Sequence, residues 1–309
     1  MTRRRPGTYP PVVAPNPPLP GPKGTPWAEA GSAEVFPLVR PPDAGTREVA
    51  KTVIAVGSGK GGVGKSTVSL NLALALARTA KVGLLDADFY APDIPVMLNL
   101  TRRRDLRAWS LWRAGGARIE PVELHGIQVM SAGFLLAEHQ VFPATEQTLG
   151  AVIHQLLYEV LWTDLDYLVI DLPPGTADLQ QHLFRLTLCT GAVLVVTPQD
   201  VAHLDAKKLV ALLRDGGTPV LGAIENMSAV ECPHCGNEFQ VFPHVRSDRS
   251  IWEAGVECLG KVPLAPIVAE TAEQGRPLVL SQPESREARA FQEIAERTVE
   301  AVHRLGEGT

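Results

Sequence analysis

Residues 57–67 read Gly-Ser-Gly-Lys-Gly-Gly-Val-Gly-Lys-Ser-Thr, and the pattern G-x-x-x-x-G-K-[ST] runs from Gly59 to Ser66 between an apolar run and an apolar helical segment. In that context the glycines let successive backbone N–H groups turn inward around an anion, and the helix N-terminus adds the positive end of its dipole. Gly59, Gly61, Gly62, Val63, Gly64 and Thr67 are therefore expected to cradle nucleotide phosphates, with Lys65 against the β- and γ-phosphates and the Ser66 hydroxyl on Mg2+. A purely structural glycine-rich turn is the alternative, and the strand–loop–helix context argues against it. Two further runs end in carboxylates: Leu84-Leu85-Asp86-Ala87-Asp88, and Val169-Ile170-Asp171-Leu172-Pro173-Pro174-Gly175-Thr176. A Mg-nucleotide site needs such oxygens, because the cation and the attacking water both require partners. A third constellation is Cys232-Pro-His-Cys235, whose spacing points to metal or redox chemistry.

The elements that must position these groups follow from the pattern. Short β-branched runs (VIAVGS, KVGLLDAD, GIQVMSA, YLVIDLPP, AVLVVTPQ, PVLGAIENM, CLGKVPL) read as strands buried on both faces. Helix-length amphipathic segments are expected at Ser66–Thr79, Thr145–Trp162, Ala177–Cys189, Ala202–Arg214 and Ser285–Arg304. Alternation of strand and helix implies an α/β fold with a mostly parallel β-sheet and helices on both faces, of the P-loop NTPase type, with ligands at the carboxyl ends of the strands. Along the last segment Phe291, Ile294, Ala295, Thr298, Val302 and Leu305 make one stripe, as for a helix packed on the sheet. Residues 1–48, which hold 12 of the 26 prolines, are expected to be a proline-rich arm, and 49–309 the ATPase domain with the Cys loop at 232–235.

Composition removes several classes. The chain has 309 residues, 45% hydrophobic and 20% charged, with net charge −5, which leaves no electrostatic footprint for wrapping nucleic acid or coating an acidic membrane. The longest apolar runs, such as Leu72–Ala77, fall short of the roughly 18 residues a spanning helix needs, and no apolar leader follows the N-terminal arginines. A cytoplasmic location is expected. Arg102, Arg103, Arg104 and Arg107 read as a solvated basic loop, and Cys189 and Cys258 as core residues.

A plain phosphate loop does not ask for Lys60 or the doubled Gly61-Gly62. KGGVGKST resembles the deviant Walker A loop of the MinD/ParA/nitrogenase iron-protein group, in which a second lysine reaches across a face-to-face dimer. The resemblance implies that Lys60 acts in trans on the partner's nucleotide, that Asp88 positions the hydrolytic water with support from Asp86, that Asp171 holds a Mg-bound water, and that the Gly175 amide senses the γ-phosphate. The ordered set GSGKGGVGKSTVSLNLA, GLLDADFYAPDIPVML, DLDYLVIDLPPGTADLQ, VVTPQDVAHLDAKK, GAIENMS and CPHCG resembles the Mrp/ApbC-type ATPases, which are iron–sulfur cluster carriers. That resemblance implies slow ATP hydrolysis, a homodimer, apo iron–sulfur proteins as clients, and Asn226 against the adenine. The chain departs from it at Ala91, where members carry Gly, and at Asp93, where they carry Ser.

For Cys232 and Cys235 three readings stand. Two chains share a bridging 4Fe-4S cluster, as the resemblance implies. Alternatively Zn2+ is held, either with His234, His244 or Cys258 in one chain or by four thiolates across a dimer. The third is a dithiol switch. A MinD-like positioning ATPase without a cluster is the competing functional class.

Overall fold

The computed structural model describes residues 48–100, 119–135, 150, 152–175, 184 and 189–307. All seven strands expected from the sequence form. In chain order the elements are β1 (Thr52–Gly57), α1 (Lys65–Leu76), β2 (Val82–Asp86), α2 (Ile94–Met97), β3 (Val122–Leu124), β4 (Ile127–Ser131), β5 (Tyr167–Asp171), β6 (Gly191–Val196), α3 (Asp200–Asp215), β7 (Val220–Asn226), β8 (Val230–Glu231), β9 (Glu238–Phe239), β10 (Cys258–Val262), α4 (Pro266–Glu273), α5 (Leu278–Ser281) and α6 (Arg286–Glu307). Eight strands make one sheet in the order β10-β7-β6-β1-β5-β2-β4-β3, parallel throughout except for the antiparallel edge pair β3–β4. Every residue of β2 and β6 is buried, which is why these strands are unbroken apolar runs and not alternating ones.

The sheet order places β1 between β5 and β6, at the point where the winding reverses direction, and ligands bind outside the strand ends at such a point. Helix α1, which leaves the phosphate loop there, is buried on all sides from Lys65 to Leu76 apart from Thr67. On α6, Ala288, Phe291, Ile294, Ala295, Thr298 and Ala301 are buried, so the expected stripe holds through Thr298. Beyond it Ala301 turns inward while Val302 and Leu305 are only half-buried.

Several expectations need correction. The segment read as one helix to Trp162 instead closes with a π-helical turn at Gln155–Glu159. Val160 is extended and bridges Ile119, with Leu161 N donating to Ile119 O at 2.7 Å, so the backbone is taken up by an extended pairing before Trp162. Helices α4 and α5, strand β3 and the hairpin β8–β9 were not anticipated. Cys189 and Cys258 are half-buried, and Cys189 packs against the core. Residues 1–47 of the expected arm, the arginines at 102–107, residues 145–149, and the helix expected at 177–189 apart from Phe184 and Cys189 lie outside the described residues.

Candidate functional site

The phosphate loop leaves β1 and enters α1 with no side chain capping the helix, because Gly64, at φ 81°, stands at the N-cap. The first-turn amides are thus left for a ligand. A Cβ on Gly62, at φ 78°, would meet nothing within 4 Å, and one on Gly61 would meet only Pro174 at 3.9 Å, so an open concavity lies in front of this backbone. Behind it the loop is tightly held. Asn226 Nδ2 donates to Val63 O at 2.8 Å, and a Cβ on Gly64 would lie 2.3 Å from that same nitrogen. Gly59 is pressed against α3, where a Cβ would sit 2.4 Å from the Asp205 carbonyl carbon. Asn226 is therefore a brace of the loop in this structure, where the sequence pointed to a nucleotide-base contact.

Strand register builds the floor. Val56 pairs with Asp171, Asp171 with Asp86, and Asp86 with Ser131, so a row of residues at the strand ends brings the two carboxylates side by side. Lys65 Nζ donates to Asp171 Oδ1 at 2.8 Å and lies 3.8 Å from Asp88 Oδ2, with the Lys65 and Asp171 side chains 6% and 0% exposed. Ser69 Oγ donates to the same Asp171 oxygen at 2.7 Å, while Asp171 Oδ2 is buried with no hydrogen-bond partner. Asp86 is held by Ser131 Oγ at 2.8 Å and by the Asp88 amide at 3.1 Å. Burial, and then the charge of Asp171, push its carboxyl well above the usual carboxylate range. Asp88 Oδ1 accepts the Tyr90 and Ala91 amides, each at 3.1 Å, and its carboxyl is raised chiefly by burial, against the pull of Lys65.

One lysine thus faces two carboxylates, Asp171 and Asp88. The Asp171 carboxylate with its orphaned oxygen and the Ser66 hydroxyl, both reached by the Lys65 ammonium, fit a donor set for a hydrated divalent cation. The Gly175 amide, expected to sense a phosphate, donates here to Ser58 O at 3.0 Å, at φ 113°. Lys60 is half-buried and its Nζ donates to Gln199 Oε1 at 3.2 Å. Asp93 stands at the rim. Its carboxyl is raised by partial burial and then by the charges of Asp88 and Asp171.

Cys232 and Cys235 occupy the turn between β8 and β9. The turn closes through Cys232 N to Asn237 O and Gly236 N to Cys232 O, both 2.9 Å, and Gly236 takes φ 70°. The His234 and Cys235 amides, and then the Cys235 thiol, hydrogen-bond the Cys232 sulfur and lower its pKa. Cys235 is exposed. Among the described residues no three His, Cys, Asp or Glu side chains come together as a metal set, so His234, His244 and Cys258 do not complete a single-chain zinc site. Glu231 and Glu238 face each other across the hairpin, and Arg286, at the start of α6, pairs with both, at 3.4 Å to Glu231.

Sequence reasoning missed Ser69, Ser131, Gln199 and Arg286. Only Ser131 carried a local signal, as a polar residue closing an apolar strand next to one that ends in Asp86.

Residues 49–299 match the ParA family described as NUBPL iron-transfer P-loop NTPase. An iron-sulfur cluster carrier protein of Escherichia coli K12 is 40% identical over 258 residues, 83% of this chain and 68% of that one. The mouse iron-sulfur cluster transfer protein NUBPL is 42% identical over 255 residues, 82% and 78% of the two chains. Among solved structures, a nucleotide-binding protein from Archaeoglobus fulgidus in complex with ADP superposes with TM-score 0.64 at 34% identity, covering 79% of this chain and 93% of that one. The cell division ATPase MinD of Pyrococcus furiosus superposes with TM-score 0.60 at 26% identity, covering 81% and 99%.

Proposed function

The chain belongs to the ParA/NUBPL family of iron-transfer P-loop NTPases, and we propose that it binds and slowly hydrolyses MgATP as a homodimer that carries a 4Fe-4S cluster for apo iron–sulfur proteins. The observation that carries this reading is the Cys232/Cys235 pair at the turn of a hairpin, Cys232 half-buried and Cys235 exposed, on the same chain as a phosphate loop whose lysine and carboxylates are already assembled. Two thiolates are half of a four-ligand set, so a second copy supplies the rest. Transfer to a client then means exchange of thiolate ligands at an exposed hairpin, which a cage buried in one chain would hinder.

At the nucleotide end, Lys65 leaves Asp171 for the phosphates, which match its charge better than a carboxylate already shared with Ser69. Ser66 directly and Asp171 through a water would hold Mg2+, which would neutralise phosphate charge. Asp88, with Oδ1 fixed by two amides, offers Oδ2 to the attacking water, and Asp86 keeps that loop in place through the Asp88 amide. Lys60 from the partner stabilises the transferring phosphoryl group. Asn226 keeps the loop in register at Val63, and its adenine contact is made once nucleotide is present.

The apolar stripe of α6 is buried against α1 and the sheet, so this helix does not offer the free apolar face that a membrane-bound positioning ATPase would use. No helix among the described residues is long and apolar enough to cross a membrane. The test is transfer: protein reconstituted with iron and sulfide under anaerobic conditions is mixed with an apo-ferredoxin. Visible absorption and activity appearing in the acceptor faster than from free iron and sulfide supports the carrier. Transfer no faster than from free ions overturns it.

A further inference from the structure

Lys60 is engaged within its own chain. Its ammonium donates to Gln199 Oε1 at 3.2 Å, and the same oxygen accepts the Thr197 hydroxyl at 3.2 Å. Gln199 has little freedom to drift. Its amide donates to Thr197 O at 2.7 Å, and its carbonyl accepts the His203 amide at 3.1 Å as α3 begins. On the other side, Ser58 Oγ holds Lys60 O at 2.9 Å. The backbones of loop and helix touch at Gly59 and Asp205, so the span between Lys60 and Gln199 is set by rigid elements and not by chance side-chain contact. Helix α3 is itself tied down, since Asp200 accepts Arg246 N at 2.9 Å and Arg249 Nη1 at 2.8 Å.

We propose that Gln199 is a positioning residue that parks Lys60 on its own chain, so that the lysine is released only when a partner's nucleotide competes for it. The proposal rests on the reading that Lys60 acts in trans. The chemistry of the acceptor sets the balance. A neutral amide oxygen holds an ammonium less strongly than a phosphate oxygen does, so parking is reversible, and a glutamate in that place would hold it as an ion pair. The Thr197 hydroxyl, donating to the same oxygen, fixes the amide's orientation and weakens the oxygen as an acceptor, which eases release.

The test measures ATP affinity by calorimetry and steady-state hydrolysis for wild type, K60A, Q199E, Q199L, and K60A/Q199E. The parked-lysine account expects unchanged ATP affinity in both Gln199 variants. Hydrolysis should fall about tenfold or more in Q199E and be equal to or faster than wild type in Q199L. It also expects K60A/Q199E to hydrolyse at the K60A rate, because a glutamate with no lysine to hold has nothing to impede. A Q199E effect that persists in the K60A background, wild-type hydrolysis in Q199E, or equal slowing in Q199E and Q199L overturns the parking role. K60A at the wild-type rate overturns the trans-lysine reading instead, and parking with it.

Discussion

Lys65 and Asp171 meet where neither side chain is more than 6% exposed, whereas Cys235 stands exposed in a hairpin whose strands are two residues each. The first region sits on four adjacent strands in register and on a helix buried everywhere but at Thr67. The second is joined to the rest through Arg286 and the chain on either side. A two-stranded ribbon of that length has little stability of its own. The difference teaches where each site is completed. On the proposed reading, the groups that bind nucleotide are assembled inside one chain and the partner adds only Lys60, while the thiol end supplies half a ligand set on a weak frame and is completed from outside.

The largest effect expected from this contrast is at Lys65. Lys65→Ala should weaken ATP binding more than about a hundredfold, a loss of about 3 kcal/mol, yet leave iron–sulfide reconstitution at its wild-type level. Calorimetry and iron analysis check the two halves, and coupled losses would break the comparison. The reciprocal change is Cys232→Ala or Cys235→Ala, which should abolish the visible charge-transfer band and leave ATP affinity within about twofold, because the sites share no ligand. Cys258→Ala should keep the cluster. Its thiol is half-buried, contacts Gly260 O at 3.7 Å, and is pushed up by burial.

Two glycines sharpen the contrast in stability. Gly64 and Gly236 both take positive φ, so alanine costs about 1–2 kcal/mol of backbone strain at either. At Gly64 the new Cβ also displaces the Asn226 amide from Val63, adding about 1 kcal/mol or more, whereas at Gly236 the nearest atom is Glu231 Oε1 at 3.9 Å. Denaturant unfolding should rank Gly64→Ala as the more damaging.

The smallest effect concerns pH. His203 is fully buried, its Nδ1 accepts the Ile251 amide at 3.2 Å, and burial lowers its pKa. The unfolded imidazole therefore binds its proton first. Stability is complete above about pH 6.5 and is lost as pH falls from there through the lower folded value. His203→Gln, which keeps an acceptor and does not titrate, should flatten that limb of a stability–pH curve.

What the sequence disclosed follows from the same contrast. Motifs that follow a strand directly, such as Gly59–Ser66, Asp86 and Asp171, were legible because a parallel sheet forces strand ends to one edge. Ser131 matters through register with Asp86 and left only the faint signal of a polar strand end, whereas Ser69 acts through the packing of α1 on Asp171 and Gln199 through a contact 139 residues from Lys60, so no local pattern reports those two. The hairpin β8–β9 is too short to leave a period-2 signal. Asn226 stood out as part of a resembled motif, but its bond to Val63 is a property of packing. The π-helical turn before Val160 was invisible because the apolar spacing of a helix continues through it.

The most direct measurement of the central claim, that the thiol site is completed by a second copy, is iron and sulfide content after anaerobic reconstitution, combined with sedimentation of the same sample. The account predicts one four-iron cluster per two chains and a shift toward dimer that Cys232→Ala abolishes, since a ligand bound only by the dimer draws the equilibrium that way. A four-iron centre on a monomer, or stoichiometric zinc with no iron after strictly anaerobic isolation, would contradict it.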